Sequence, residues 1–183
     1  MYIGVDTETG GLRHNYHCLL TIGIVVVDKT LRILKRYELK IKANKHYCTK
    51  AAFKVNKIDI TEHNKNAVSK KKAIEFIENI CIQYGYKGKI KLIGHNIDFD
   101  KRFIEALFTS KDKKFMCSHS NIDTKYMWRG LIAMHKVNMT SAHLDDILDY
   151  LKIKTTGNRH SALVDIENTI KVLRVIRKNI KAF

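Results

Sequence analysis

Two carboxylates stand at the end of an apolar stretch near the start of the chain, in the sequence DTETGG. Asp6 and Glu8 are two residues apart, so on a β-strand both side chains project from the same face. Like charges held side by side repel, and a buried carboxylate is costly unless a cation meets it. The pattern therefore indicates a cation site, most economically a metal ion. An exposed strand end that runs into a Gly-Gly turn would have the same residue pattern.

Two further stretches carry residues that can do chemistry. GHNIDFD has the pattern of a strand that ends where a helix begins, and RHSALVDIENT has the pattern of a helix start. Ligands of open α/β sheets gather at the carboxyl ends of the strands. The acidic strand ends at DTETGG and GHNIDFD therefore both qualify as parts of one site. The residues concerned are His95, Asn96, Asp98 and Asp100 in the first stretch, and His160 and Asp165 in the second.

In this order, DTETGGL, HNIDFD and HSALVD resemble the three motifs of the DEDDh family, the DnaQ-like 3′–5′ exonucleases. The family patterns are D-x-E-T-x-G-L, H-N-x-x-F-D and H-x-A-x-x-D. The resemblance runs from Asp6 to about Thr169, nearly the whole chain. It implies a ribonuclease H-like α/β fold, in which helices flank a mixed central β-sheet.

The resemblance also implies roles for individual residues. Asp6 and Glu8 match the first two acidic metal ligands of the family, and Asp165 matches the fourth. Asp100 follows Phe99 and matches the third acid, although its neighbour Asp98 could be mistaken for it. His160 matches the histidine that acts as general base.

Other motif positions match residues that bind substrate in similar proteins. Thr9, Gly11 and Leu12 correspond to positions that contact the terminal nucleotide through backbone and an apolar wedge, and Asn96 corresponds to an asparagine near the substrate strand. Gly10 departs from the commoner second threonine, which puts side-chain contacts at that position in doubt but leaves the acidic residues intact.

The chemistry of phosphodiester hydrolysis agrees with these roles. Two divalent ions can stabilise the charge on the attacking and the leaving oxygen. Mg²⁺ and Mn²⁺ are hard ions that prefer carboxylate oxygens, and four acids can hold two of them. We expect Asp6 to bridge the ions, Glu8 and Asp165 to complete one, and Asp100 to support the other directly or through water. The imidazole of His160 can accept a proton from water near neutral pH.

The charge of the chain favours a polyanionic partner. Lys and Arg number 34 against 18 Asp and Glu, which gives a formal net charge of +16. Residues 29–91 hold 17 of the basic and 5 of the acidic residues, so +12 of that charge lies in about a third of the chain. Nucleic acid is the first candidate and an anionic membrane surface the second. A lysine-rich composition that merely solvates the surface would give the same count.

Length and composition bound the remaining expectations. The 183 residues predict one domain, 1–183, with no proline-rich linker because proline is absent. The apolar runs are too short to span a bilayer, and no secretory leader is recognisable. Four cysteines at least 30 residues apart, without a CxxC pair, are typical of reduced thiols. We therefore expect a cytoplasmic protein that does not associate with membranes.

The patterning predicts the elements that must position these residues. YIGVD predicts a first strand, and LLTIGIVVVD with the alternating RYELKIK predicts an antiparallel hairpin beside it. A helix over SKKKAIEFIENICIQYG should end at Gly85. KIKLIGHN predicts a central strand and DFDKRFIEALF a helix. NIDTKYMW predicts a strand that enters a helix, SAHLDDILDYLKI an amphipathic helix, and the last helix begins near Ser161.

These observations predict a two-metal 3′–5′ exonuclease that releases nucleoside 5′-monophosphates from single-stranded DNA or RNA with a free 3′ end. Two alternatives remain: a proofreading subunit of a DNA polymerase, and a nucleic-acid binding module without catalysis. We expect no tail for polymerase tethering, because the chain ends at Phe183, soon after the last motif. Intact acids and histidine argue against the binding module. The sequence leaves open the choice between DNA and RNA, the preferred metal, and the oligomeric state, a homodimer included.

Overall fold

The computed structural model describes residues 1–108, 115–155, 157–158 and 160–179. Among these residues, five strands form one mixed sheet in the order β3-β2-β1-β4-β5. β2 pairs antiparallel with β1 and with β3, whereas β4 pairs parallel with β1 and with β5. The strands are β1 (Tyr2–Thr9), β2 (Leu19–Val27), β3 (Ile33–Lys40), β4 (Leu92–Gly94) and β5 (Ile122–Asp123).

Helices cover both faces of this sheet. A 3₁₀ turn spans Lys45–Tyr47 and precedes two short helices that lie between β3 and the long helix α3. The helices are α1 (Lys50–Asn56), α2 (Ile60–Lys65), α3 (Lys70–Tyr84), α4 (Ile97–Glu105), α5 (Thr124–Ala133), α6 (Leu144–Tyr150) and α7 (Ala162–Asn179).

Alternation along β1 decides which side chains meet which helices. Ile3 and Val5 join a core with α3 and α4 on one face of the sheet. Gly4 and Asp6 point to the other face, where α7 packs through residues such as Ile166. The same period of two that makes β1 a good strand therefore sends its acidic residues toward α7.

β2 is buried along its whole length, because each of its nine residues from Leu19 to Val27 is buried. Its run of Leu, Ile and Val fits a central strand that is covered on both faces. β3, at the edge of the sheet, alternates between exposed and more buried residues from Arg36 to Lys40. Both patterns agree with the hairpin that the sequence predicts.

β4 is only three residues long and pairs with β1 up to Gly4 opposite Ile93. Beyond that pair β1 continues through Asp6 and Glu8, beside the region where β4 has already given way to α4. The strand order and the short β4 together bring the first turns of α4 close to the acidic end of β1.

The fold class predicted from the sequence, α/β with helices flanking a mixed central β-sheet, is confirmed. α3 ends before Gly85 as expected, because the backbone of Gly85 is extended (φ −79°, ψ 158°) and leaves the helical path. Residues 45–66, where the sequence pattern predicts no element, form the 3₁₀ turn, α1 and α2. No helix of the described residues is both long enough and apolar enough to cross a lipid bilayer.

Candidate active site

Asp6 and Glu8 lie on the α7 face of β1, as the strand period predicts. Asp6 pairs with Gly23 of β2 and Glu8 pairs with Thr21. Both carboxylates are partly buried. The register therefore places a glycine, with no side chain of its own, directly beside the first acidic residue.

This glycine lets the start of α7 approach the sheet. A Cβ atom at Gly23 would lie 2.3 Å from the carbonyl carbon of Ala162, far closer than any real contact. α7 consequently enters against bare backbone, and its first turn brings Asp165 to the two acids of β1. Carboxylate oxygens of Asp6, Glu8 and Asp165 all lie within 4.8 Å of one another.

Asp100 reaches the same region from α4, on the other side of the sheet. It is 3% exposed, and the hydroxyl of Thr7 donates a 2.7 Å hydrogen bond to its Oδ1. Thr7 lies between Asp6 and Glu8 in sequence but points to the opposite face. One strand end thus carries two carboxylates on one side and orients a third from the other. Asp98, the neighbouring acid in the motif, is exposed.

The carboxylates raise one another's pKa values. Burial raises the pKa of Glu8 to about 8, and the charges of Asp165 and Asp100 add to the effect. Burial, followed by repulsion from Asp100, Asp165 and Glu8, raises the pKa of Asp6 well above its usual range. Burial likewise raises the pKa of Asp100 to about 7, against the hydrogen bond from Thr7. Several acids held this close need a cation to ionise together at neutral pH.

His160 lies at the edge of this cluster, exposed and with a left-handed backbone (φ 65°). Its backbone N–H donates a 3.1 Å hydrogen bond to Oδ2 of Asp165, and the backbone N–H of Asp165 donates to the carbonyl of Ser161. These two bonds fix the histidine relative to the acid. His160 and Glu8 line the same cleft, which has a volume of about 810 Å³.

The motif positions expected to bind substrate form a compact turn at the end of β1. The hydroxyl of Thr9 donates a 2.8 Å hydrogen bond to the carbonyl of Gly11. Gly11 packs against the ring of His17, where a Cβ would come within 2.7 Å. Leu12 projects into solvent with 82% of its surface exposed, so an apolar side chain stands free in the turn that follows β1.

Asn96 begins α4 with a left-handed backbone (φ 73°). Its backbone N–H donates to Oδ1 of Asp123, and that of Ile97 donates to Oδ2. The side chain of Asn96 makes no capping bond to α4. The asparagine therefore fits the αL position that α4 requires, independently of any contact with substrate.

The family model RNase_T, described as an exonuclease, matches residues 3–173. The matched range holds all four acids and the histidine. The chain belongs to the RNase_T exonuclease family. This membership confirms the resemblance to DEDDh, DnaQ-like exonucleases that the three motifs carried.

Solved structures of exonuclease I share the fold of this RNase_T exonuclease. A structure of exonuclease I described in terms of processivity has a TM-score of 0.84 at 15% identity and covers 97% of this chain. The E. coli enzyme with a dT13 oligonucleotide has a TM-score of 0.82 at 16% identity over 100% of the chain. Its zinc-bound single-stranded DNA complex has a TM-score of 0.84 at 16% identity over 97%.

The present chain spans only 40–42% of the length of these exonuclease I chains. At such low identity the likeness concerns the fold. Comparison with curated protein sequences gave no match.

Three features of this RNase_T exonuclease site escaped sequence reasoning. Thr7 and Gly23 act through partners distant in sequence, so only the β1–β2 register and α4 packing reveal them. Asn56, at the end of α1, donates from Nδ2 to the carbonyl of Thr9 at 3.2 Å. A glycine inside the apolar run IGIVVV was the one available signal, since such a glycine often marks close backbone approach.

Two residues near the motifs, His95 and Trp128, have structural roles. His95 contacts Thr124 through Nδ1 (2.9 Å) and the carbonyl of Ala142 through Nε2 (3.0 Å). Trp128 is fully buried between α5, α6 and α7. Neither side chain is available to a substrate in the cleft.

Proposed function

We propose that this RNase_T exonuclease is a metal-dependent 3′–5′ exonuclease. It shortens single-stranded DNA or RNA from the 3′ end and releases nucleoside 5′-monophosphates, with residues 1–183 acting as one catalytic domain. The observation that carries the proposal is the convergence of Asp6, Glu8 and Asp165 within 4.8 Å at the end of β1. Asp100 and His160 lie beside that cluster.

The donor set fits divalent cations of the hard class. Its ligands are carboxylate oxygens alone, which suit Mg²⁺ and Mn²⁺ better than softer metals. The raised pKa values of Glu8 and Asp100 are those of acids that lack a neighbouring cation. Asp6, Glu8 and Asp165 would hold one ion, and Asp6 with Asp100 a second. The ions would neutralise negative charge that develops on the phosphate during hydrolysis.

The chain's own residues supply binding and proton transfer. His160 lines the cleft with Glu8, so its imidazole can accept the proton that the attacking water loses. Its backbone bond to Asp165 keeps this base at a fixed place relative to the acids. The exposed Leu12 beside the turn of Thr9 and Gly11 is suited to contact the terminal base.

Single strands are the proposed substrate because some of the exonuclease I structures that share this fold contain a bound oligonucleotide. Exonuclease I structures hold dT13 and dA16. The net charge of +16 of the present chain agrees with a polyanionic substrate. A cytoplasmic location remains part of the proposal.

The experiment is hydrolysis of 5′-labelled single-stranded DNA and RNA of identical sequence, with Mg²⁺, Mn²⁺ or EDTA. A ladder that shortens from the 3′ end, requires a divalent ion and is lost in Asp165→Ala is expected. The relative rates of hydrolysis on the two strands decide whether DNA or RNA is the preferred substrate. Tight, salt-sensitive binding without cleavage of either strand would instead identify a binding module.

A matched pair of variants tests the third acid. Asp100→Asn should lower turnover at least about a thousandfold, because a buried carboxylate of the cluster is lost. Asp98→Asn, two residues away and exposed, should leave turnover within about twofold. The opposite order of effects would reassign the acid and contradict the site as described.

A further inference from the structure

Two loops of exposed aromatic and basic residues meet beside the motif turn. One follows β1 and carries Arg13 and Tyr16; the other is the 3₁₀ turn with His46 and Tyr47. We refer to Arg13, Tyr16, His46 and Tyr47 as the aromatic platform. Its members are all exposed to solvent, Tyr16 by 48% and Tyr47 by 43%.

The rings of the platform hold one another in place edge to face. The Tyr16 and Tyr47 ring centroids lie 5.7 Å apart at an interplanar angle of 81°, and those of His46 and Tyr47 lie 5.5 Å apart. The guanidinium carbon of Arg13 lies 5.4 Å from the Tyr16 ring centre. Each edge-to-face contact occupies the face of only one ring, and Tyr16 and Tyr47 stay 48% and 43% exposed. The rings therefore still offer surface and lose little freedom when a flat ligand arrives.

The platform is fastened to the strand end that bears the acids. The backbone N–H of Gly10 donates to the carbonyl of Cys18 (2.7 Å), and that of Cys18 donates to the carbonyl of Tyr47 (3.1 Å). The N–H of Thr49 donates in turn to the carbonyl of Gly10 (2.7 Å). The rings therefore stand at a set position relative to Glu8, which is two residues before Gly10.

Gly10 makes this arrangement possible. A Cβ at position 10 would lie 2.6 Å from Sγ of Cys48 and 2.9 Å from the carbonyl oxygen of Tyr47. The threonine common at this motif position would push the 3₁₀ turn away. The departure from the motif thus accompanies a loop that brings Tyr47 against the motif turn.

The two stretches of chain that carry the platform hold basic but no acidic residues. No Asp or Glu occurs in residues 9–27 or 39–58, whereas these ranges contain Arg13, Lys45 and Lys50 among other cations. Aromatic faces among cations are what a single-stranded nucleic acid requires, since bases stack on rings and phosphates meet the positive groups.

We propose that the aromatic platform binds nucleotides upstream of the terminal one, stacking bases of a single strand on Tyr16 and Tyr47. This inference rests on the proposed exonuclease function and extends it from the scissile nucleotide to the strand that follows. The platform is sequence-tolerant, because every base offers a flat face.

Two substrates separate the platform from the acids. The dT10 oligonucleotide has upstream bases, whereas the p-nitrophenyl ester of thymidine 5′-monophosphate has none. For the variant Tyr16→Ala/Tyr47→Ala, KM for dT10 should rise about tenfold or more, and kcat/KM for the ester should change less than twofold. Tyr16→Phe/Tyr47→Phe keeps the rings and should restore the KM for dT10.

Tyr86→Ala is the matched control, because Tyr86 is 79% exposed beside Lys87 in a turn that precedes β4. This variant should change neither the KM for dT10 nor the kcat/KM for the ester. An unchanged KM for dT10 in the double alanine variant would overturn the platform, and so would an equal loss on both substrates, which marks damage to the acidic site.

Failure of the exonuclease proposal would be recognised separately. If the unmodified protein hydrolyses neither substrate, that proposal falls, and the platform is judged by fluorescence anisotropy with labelled dT10 in EDTA. Loss of about tenfold in affinity in the double alanine variant supports the platform. Equal affinity in the two proteins overturns it.

Discussion

The acidic end of the sheet and the aromatic platform lie side by side but are built in opposite ways. The acids project from β1, α4 and α7, elements that pack through buried residues and through the bare backbone of Gly23. The platform projects from two loops that backbone hydrogen bonds, ring edges and the Sγ–H of Cys18 on the carbonyl of Asn44 connect. Hydrolysis needs groups held to within fractions of an ångström, whereas binding of a flexible strand needs accessible surface.

Gly23→Ala offers the largest test of this difference. The added Cβ meets the backbone of Ala162, so the start of α7 must move, and with it His160 and Asp165. A displacement of about 1 Å in a catalytic group costs on the order of 100-fold. We therefore expect kcat to fall about 100-fold. The Kd for dT10, measured by fluorescence anisotropy in EDTA, should stay within about threefold of that of the unmodified protein.

Gly4→Ala is the control for Gly23→Ala. Its Cβ would meet side-chain atoms of Val25 and Ile166, which can shift, rather than backbone. It should lower the melting temperature, since overpacking costs about 1–3 kcal/mol, but reduce kcat less than tenfold. Equal kcat in Gly23→Ala and the unmodified protein would mean that glycine does not set the position of α7.

Thr7→Val tests the third acid at a smaller scale. The change removes the donor to Asp100 and keeps the shape of the side chain. That hydrogen bond lowers the pKa of Asp100, so without it the carboxyl is more often protonated at pH 7. Activity in Mg²⁺ should fall about tenfold at pH 7 and recover in part at pH 9.

Thr169→Val is a suitable comparison for Thr7→Val. Thr169 is fully buried, and its hydroxyl has no hydrogen-bond partner among the residues the structure describes. Its replacement should leave the pH profile unchanged. A pH profile of Thr7→Val that superimposes on that of the unmodified enzyme would remove Thr7 from the site.

The smallest expected effect concerns stability in the absence of metal. The pKa of Glu8 is raised to about 8 in the folded protein, so the folded state binds protons more tightly than the unfolded state. The stability from this group is present below about pH 4 and is lost as the pH rises toward 8. In EDTA, the melting temperature should therefore decline between pH 5 and pH 8.

Glu8→Gln should remove part of that decline. We expect its melting temperature in EDTA to exceed that of the unmodified protein by about 5 °C at pH 8 and by little at pH 5, at about 2–4 °C per kcal/mol for a chain of this size. Mg²⁺ should stabilise the unmodified protein and not the variant. A variant that melts lower than the unmodified protein at pH 8 in EDTA would contradict the repulsion.

The sequence indicated most of the frame of the site. The strand period placed Asp6 and Glu8 on one face, and the apolar runs predicted the β2–β3 hairpin beside β1 and the last helix. Local patterns suffice there because each element is regular and the motifs stand at element ends.

The rest depends on contacts between distant residues. Thr7 is an ordinary strand residue until α4 packs beneath it, and Gly23 is an ordinary glycine until the register places it opposite Asp6. Residues 45–66 form short helices without a long apolar stripe, so no periodic signal marks them. The position of Tyr47 beside Gly10 follows from that irregular segment, and no local rule predicts it.

The docking of α7 over Gly23 also bears on how the protein is made. Asp165 comes 159 positions after Asp6 in the chain. At a synthesis rate of about 5–20 residues per second it therefore leaves the ribosome roughly 8–30 s later. Throughout that interval the nascent chain has the first acids without the last acid or the histidine. A growing chain, tethered close to messenger RNA, therefore lacks a complete hydrolytic centre until its final helix has emerged and settled on the first strands.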